Sequence, residues 1–294
     1  MLRKRCTLRT ADTSTKFIRR NKMPIRVSTP RRPSVKKRRS LRSLLRPLDQ
    51  LARGSDHLFA AHLGYNDSLG IPHGLPRYLF AGPGEKGSYL RVGLFAGVHG
   101  DEESGVLATA EFLERLHAEP ERARGYELFV YPVINPWGYV EGSRWTRSGL
   151  DLNRQFWKGS EEIEVQLLER QLRKLNFNGI IALHSDDTSE GLYGFVKGHE
   201  LTRHVLEPAL EEAGRILPRN FDKSIDNFEA NNGIIEKGYD GILSAPPKQK
   251  PRPFEIVFET PHHAGLDKQI EAHIVAVQTI LDRFRVMISE GQNI

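Results

Sequence analysis

From residue 89 onward, short apolar runs alternate with longer segments in which apolar residues recur every three or four positions. Residues 89–96 (YLRVGLFA) form an apolar-rich run closed by Gly97 and read as a buried strand. Residues 102–117 place apolar side chains at 106, 107, 110, 113 and 116, one face of a helix. Residues 126–134 give a second buried strand, broken sharply by Asn135-Pro136-Trp137-Gly138. An irregular stretch over 138–158 leads to an amphipathic helix over 161–175. Residues 179–183 form a third strand that runs straight into His184. A helical pattern covers 199–216, a loop rich in Asn, Gly, Pro and Lys covers 220–252, and 254–258 is a further strand followed by Glu259-Thr260-Pro261. A long helix over 266–289 closes the chain. Ahead of all this, a short helix is expected within 47–63, a turn-rich segment over 66–76 and a short strand over 77–81. No internal repeat is visible. Strands alternating with helices predict an α/β fold: a mixed, mainly parallel central sheet with helices on both faces.

Charge changes the picture at one end only. Of the 43 Lys/Arg and 37 Asp/Glu, residues 1–46 hold 17 basic residues and a single acid, Asp12, a net +16. The remainder, 26 basic against 36 acidic, carries −10. Residues 1–46 therefore read as a basic, disordered N-terminal tail on an acidic domain spanning 47–294. Three readings of the tail stay open: an incidental extension (translation starting at Met23 is one form of it), an arm for nucleic acid or an anionic surface, and a targeting segment. No apolar h-region follows the basic start, so a secretory signal is not expected. No run approaches the roughly 18 apolar residues of a membrane span, and a soluble, cytoplasmic protein is expected. The single cysteine, Cys6, excludes an intramolecular disulfide and a cysteine-based zinc cluster.

The polar residues that need explaining stand at strand ends: His99, His184 and Glu259. Ligands gather at the carboxyl ends of strands in open α/β sheets. In His99-Gly-Asp-Glu102 the three-residue spacing can bring an imidazole and a carboxylate to one point, and both suit zinc. A surface turn is the plain alternative. Glu259 before Thr-Pro is equally a helix or turn cap, Asn153-Arg154 an exposed loop pair, Asp151 an Asx turn, and Gly-Tyr239-Asp-Gly a turn.

Four blocks in order, His99-Gly-Asp-Glu102, Leu150-Asp-Leu-Asn153-Arg154, Ala182-Leu-His184-Ser185 and Phe258-Glu259-Thr260-Pro261, resemble the zinc metallocarboxypeptidase family. Its wider superfamily includes murein peptide amidases and deacylases of the succinylglutamate desuccinylase and aspartoacylase type. The resemblance spans about 75–285. It implies one Zn²⁺ held by His99, Glu102 and His184, with Glu259 as the base that takes a proton from water. It implies Asn153 and Arg154 as a clamp for a substrate carboxylate, and Asp151 as the partner of a ligating histidine. Arg144 is the first choice for stabilising the oxyanion and Arg147 its rival. Tyr239 matches a mobile tyrosine, and a specificity position is expected within 238–247, where Ile242 and Ser244 suggest a pocket without strong charge. Asp101 and Glu103 read as helix-start acids. Tyr193 reads as core or rim, His262 and His263 as pocket rim or helix start, and Asp186 and Asp187 as pocket lining or a solvated turn.

The expected function is zinc-dependent hydrolysis of an amide bond beside a free carboxylate, first as a metallocarboxypeptidase, including action on peptidoglycan peptides, and second as an N-acyl amino acid deacylase. The long 220–252 segment and a chain closing on helix 266–289, without the deacylases' added C-terminal β-domain, favour the first. A reading from another class is a non-catalytic binding protein whose basic tail contacts nucleic acid.

Overall fold

The computed structural model describes residues 38–64, 74–84 and 89–291. The basic segment up to residue 37 and most of the turn-rich 66–76 lie outside the described residues. The globular unit begins at Arg38. Its first element, α1 (Leu41–Arg53), starts with Ser40 as N-cap, its side chain accepting from Ser43 N at 3.1 Å. Leu41, Leu45 and Leu48 fall on one face and are buried. The expected boundary between residues 46 and 47 thus falls inside a packed helix. Arg42 and Arg46 hid the leucine stripe when the segment was read by charge, and Pro47 stands within the helix rather than opening it. The second half of the segment expected to be helical, 47–63, is strand β1 (Leu58–Leu63), paired antiparallel with β2 (Leu75–Ala81).

The remaining elements are β3 (Leu90–Ala96), α2 (Glu103–Ala118), β4 (Tyr126–Tyr131), α3 (Pro136–Glu141), α4 (Ile163–Leu175), β5 (Gly179–Asp186), β6 (Tyr193–Val196), α5 (His199–Leu201) continued by a wider turn over Thr202–Leu206 into α6 (Glu207–Ala213), the hairpin β7 (Ser224–Ile225) and β8 (Phe228–Glu229), β9 (Ile234–Ile235), β10 (Phe254–Pro261) and α7 (Leu266–Gly291). Short β6 to β9 and α3 were not expected. They are two to six residues long, too short for a period to register.

Eight strands form one sheet in the order β1-β2-β4-β3-β5-β10-β6-β9. The centre, β4-β3-β5-β10, is parallel, and antiparallel pairs flank it. Alternation along each strand divides the side chains between two cores. Val92, Leu94 and Ala96 of β3, Ile181 and Leu183 of β5, and Ile256 and Phe258 of β10 pack under α1, α2, α6 and α7. Phe95, Phe129, Tyr131 and Ile180 pack on the other face under α4, with Leu168 and Leu172. Both faces are covered, as a parallel centre requires. No helix of the described residues is long and apolar enough to cross a membrane.

Candidate metal centre and active-site cavity

The site forms where β3, β5 and β10 end together. The register pairs Ala96 with Leu183 and Glu259 with His184, while Glu259 also faces Tyr193 of β6. His184 and Glu259 thus share the face opposite the α2–α7 core. After β3 the chain turns at Gly97, whose φ of 61° lies in the left-handed region that favours glycine. Gly100 lets the turn lie on α3: a Cβ there would stand 2.0 Å from Gly138 C and 2.2 Å from Tyr139 N. This close approach delivers His99 and Glu102, the N-cap residue of α2, to one place.

His99, Glu102 and His184 are all buried, and their ligand atoms lie within 4.8 Å of one another. The two imidazoles aim the same atom at one carboxylate. His99 Nδ1 is 2.5 Å from Glu102 Oε1, and His184 Nδ1 is 2.8 Å from Oε2. Ser185 N also donates to Oε2 at 3.2 Å. Two nitrogens and a carboxylate, converging and sealed from water on their far sides, fit the donor set of a catalytic zinc.

Behind His99, its Nε2 lies 3.0 Å from Asp151 Oδ1. Asp151 also accepts from Asn153 N at 2.9 Å, capping the short turn Leu152–Arg154, and its Oδ2 accepts from Arg144 at 2.9 Å. The Asx turn and the histidine partner are therefore the same carboxylate at once. Burial opposes a charge on His99, yet the carboxylates of Glu102 and Asp151 outweigh it and push the imidazole up to about 9. Burial likewise works against ionised Glu102, but its two histidine neighbours hold the carboxyl well below the usual range.

These groups open on a cavity of about 590 Å³ lined by His99, Glu102, Arg144, Asn153, Arg154, His184, Tyr239 and Glu259. Arg147 is exposed and outside the cavity. Arg144 enters it, held by Asp151 and 3.7 Å from Glu102 Oε1. Asn153 is buried, with Oδ1 accepting from Leu243 N at 2.9 Å and Nδ2 3.5 Å from His184 Nε2. Arg154 donates to Asn153 O, and its guanidinium carbon stands over the Tyr239 ring, 4.0 Å from its centre. The Tyr239 hydroxyl donates to Asp226 Oδ1 at 2.9 Å, so this tyrosine is tied down at both ends in this conformation. Glu259 is pushed well above the usual carboxyl range, first by burial and then by the charges of Glu102, Asp186 and Asp226; Arg144 opposes the shift.

One lining residue, Asp226, was not singled out from the sequence. Asp226 sits at the tip of the β7–β8 hairpin, where it and Asn227 adopt left-handed φ angles of 50° and 64°. The Asp-Asn pair was a legible turn signal inside the stretch read as loop. Tyr193 is core and lining together: it is buried, and its hydroxyl donates to Asp186 Oδ2 at 2.8 Å. Asp186 also accepts from Thr188 N at 2.8 Å, so it is both an Asx turn and cavity wall, whereas Asp187 is exposed on the rim. His262 and His263 line the rim, bonded to Ser185 Oγ and Asp187 O. Ile242 borders this cavity and an adjoining one of about 330 Å³ that Ser244 also lines. Of the helix-start acids, Glu103 stands in the first turn of α2, and Asp101, ahead of the N-cap, lines the cavity. Among the other histidines, His57, His117, His199, His204 and His273 lie outside the cavity; the His62 side chain and His73 fall outside the described residues.

Residues 88–219 match the succinylglutamate desuccinylase/aspartoacylase catalytic domain. No curated protein matches the chain. A Shewanella amazonensis structure assigned to the metallopeptidases shares the fold with a TM-score of 0.68 and 24% identity, over 82% of this chain and 90% of that one. A metallo-carboxypeptidase from Burkholderia cenocepacia is similar with a TM-score of 0.65 and 15% identity, over 84% and 68%. A metallo-carboxypeptidase from Pseudomonas aeruginosa, in complex with (2-guanidinoethylmercapto)succinic acid, gives 0.61 and 17%, over 81% and 67%. The family match covers less than half of the chain, and the solved structures share its fold.

Proposed function

We propose that the chain is a zinc-dependent hydrolase that cleaves an amide bond beside a free carboxylate, acting as a metallocarboxypeptidase with peptidoglycan-type peptides among its candidate substrates. The observation that carries this reading is the convergence of His99, Glu102 and His184 on the wall of a cavity that also holds Glu259, Arg144 and Arg154. Bound by those three residues, zinc supplies Lewis acidity that polarises a carbonyl and acidifies water. Glu259, desolvated and surrounded by acids, has a raised affinity for a proton. It accepts one from the attacking water and returns it to the leaving nitrogen. Arg144, oriented by Asp151, faces the negative charge that develops on the carbonyl oxygen. Arg154 makes no ion pair within 4 Å among the described residues, so the guanidinium N–H groups not bonded to Asn153 O suit a substrate carboxylate.

Asp186 and Asp226 add negative charge to the same cavity. This suits substrates that join a carboxylate to a cationic group, as the molecule bound to the Pseudomonas aeruginosa relative does. A second reading, an N-acyl amino acid deacylase, is favoured by the match of residues 88–219 to the succinylglutamate desuccinylase/aspartoacylase catalytic domain. The chemistry is shared and the substrate differs.

The test is a release assay on C-terminal peptides, murein tripeptides and N-acyl amino acids, with metal analysis of the same sample. One zinc per chain is expected, and Glu259→Gln is expected to keep the zinc while losing at least about a hundredfold in rate. A folded, metal-free and inactive wild-type protein overturns the reading.

A further inference from the structure

We infer that Arg39, a residue of the basic N-terminal segment and outside the matched catalytic domain, is a positioning residue of the metal-ligand loop. The inference rests on the metal reading above. The loop His99–Glu102 contributes two of the three ligands, yet its backbone follows a glycine turn with no regular partner strand. One side of that loop is fixed by α3, which Gly100 touches backbone to backbone. Among the described residues, the other side is held by the Arg39 guanidinium. Arg39 donates from Nη1 to Gly100 O at 2.7 Å and from Nη2 to Asp101 O at 3.3 Å, and its Nε pairs with Glu103 Oε2 at 3.1 Å. The guanidinium also stands 5.4 Å from the centre of the Tyr139 ring.

Every residue between the ligands His99 and Glu102, and the one after them, is thus held by one side chain. A planar fork with three nitrogens can satisfy two carbonyls and a carboxylate together, which a lysine ammonium on a flexible stem cannot copy. Arg39 is itself held in place. Its N–H donates to Val140 O at 3.1 Å, and α1, capped by the next residue Ser40, packs leucines into the core. Sequence pattern alone assigns Arg39 to a run of charge, Lys36-Lys37-Arg38-Arg39. Among the described residues its neighbour Arg38 pairs with Glu141 at the surface, and it provides the control.

The mechanism is preorganisation. With the carbonyls of Gly100 and Asp101 tied outward, the His99 and Glu102 side chains are directed at one point before any metal arrives. Without Arg39, the loop must order itself on binding.

The experiment uses full-length protein carrying Arg39→Ala, Arg39→Lys or Arg38→Ala. It reads zinc affinity by competition with a chromophoric chelator and the visible absorption of the cobalt(II)-loaded protein, with far-ultraviolet circular dichroism as the folding control. Expected are zinc binding weaker by about tenfold or more in Arg39→Ala, the range typical for groups that orient metal ligands, altered cobalt bands, a smaller loss in Arg39→Lys, and no change in Arg38→Ala. The cobalt bands report ligand geometry, which a general loss of stability does not move. If Arg39→Ala fails to fold, Arg39→Lys decides alone. A folded Arg39 variant with wild-type zinc affinity and cobalt spectrum overturns the inference and leaves the metal reading intact. Wild-type protein that takes up no zinc overturns both.

Discussion

Asp151→Asn separates two roles that one carboxylate combines. Asparagine keeps an oxygen that can accept from Asn153 N, so the cap on the turn Leu152–Arg154 survives. What disappears is the charge beside His99 Nε2, at 3.0 Å, and the oxygen that accepts from Arg144 at 2.9 Å. An amide nitrogen there faces a guanidinium nitrogen, donor against donor. His99 stands at about 9 against an ordinary 6.5. That displacement corresponds to about 3 kcal/mol of interaction with acidic neighbours, net of burial, with Glu102 the larger source. The share lost with Asp151 is of the order of a charge-assisted hydrogen bond, about 1–2 kcal/mol. Zinc affinity is therefore expected to fall by about tenfold, while thermal stability shifts by only a few degrees. The assay pairs chelator competition with nuclear magnetic resonance titration of the His99 ring in metal-free protein, where its pKa should drop by about one unit. Unchanged zinc affinity together with an unmoved His99 titration refutes the argument and reduces Asp151 to a turn cap.

Two further outcomes follow from the same contacts. In metal-free protein the raised His99 pKa contributes stability that is fully present below about pH 6.5 and lost as pH rises through about 9. Urea unfolding of chelator-treated protein should thus show about 3 kcal/mol less stability at pH 10 than at pH 6, a difference that His99→Gln removes; stability that holds or rises over this interval contradicts it. Arg144→Ala should cut hydrolysis by about a hundredfold in kcat, and Arg147→Ala should leave the rate within twofold. Equal effects of the two on kcat would show that reach into the cavity is not what matters.

The sequence by itself determined the order of the longer strands and helices after residue 89, because apolar periods of two and of three to four are local properties of the chain. It also determined the residue types of the candidate site. Each of His99, His184 and Glu259 falls where an apolar run ends, and an ionisable group there needs an explanation. Spacing could not choose between Arg144 and Arg147, three residues apart on an irregular loop. The tertiary structure holds Arg144 against Asp151 inside the cavity and leaves Arg147 exposed. Nor could local pattern separate cap from partner for Asp151, since the histidine it holds lies 52 residues away. For the same reason Asp226 lay in a stretch read as loop, Tyr193 read only as core or rim, and Arg39 stood in a run of charge. Their roles depend on a hairpin tip, a four-residue strand and the docking of α1, which bring them to groups far off in the chain. Charge hid the start of the fold as well, for Leu41 and Leu45 counted less in a basic run than they do in the core. The residues of the ligand set are written locally. The geometry that makes them a site comes from three parallel strands in register and from a glycine turn clamped between α3 and a single arginine.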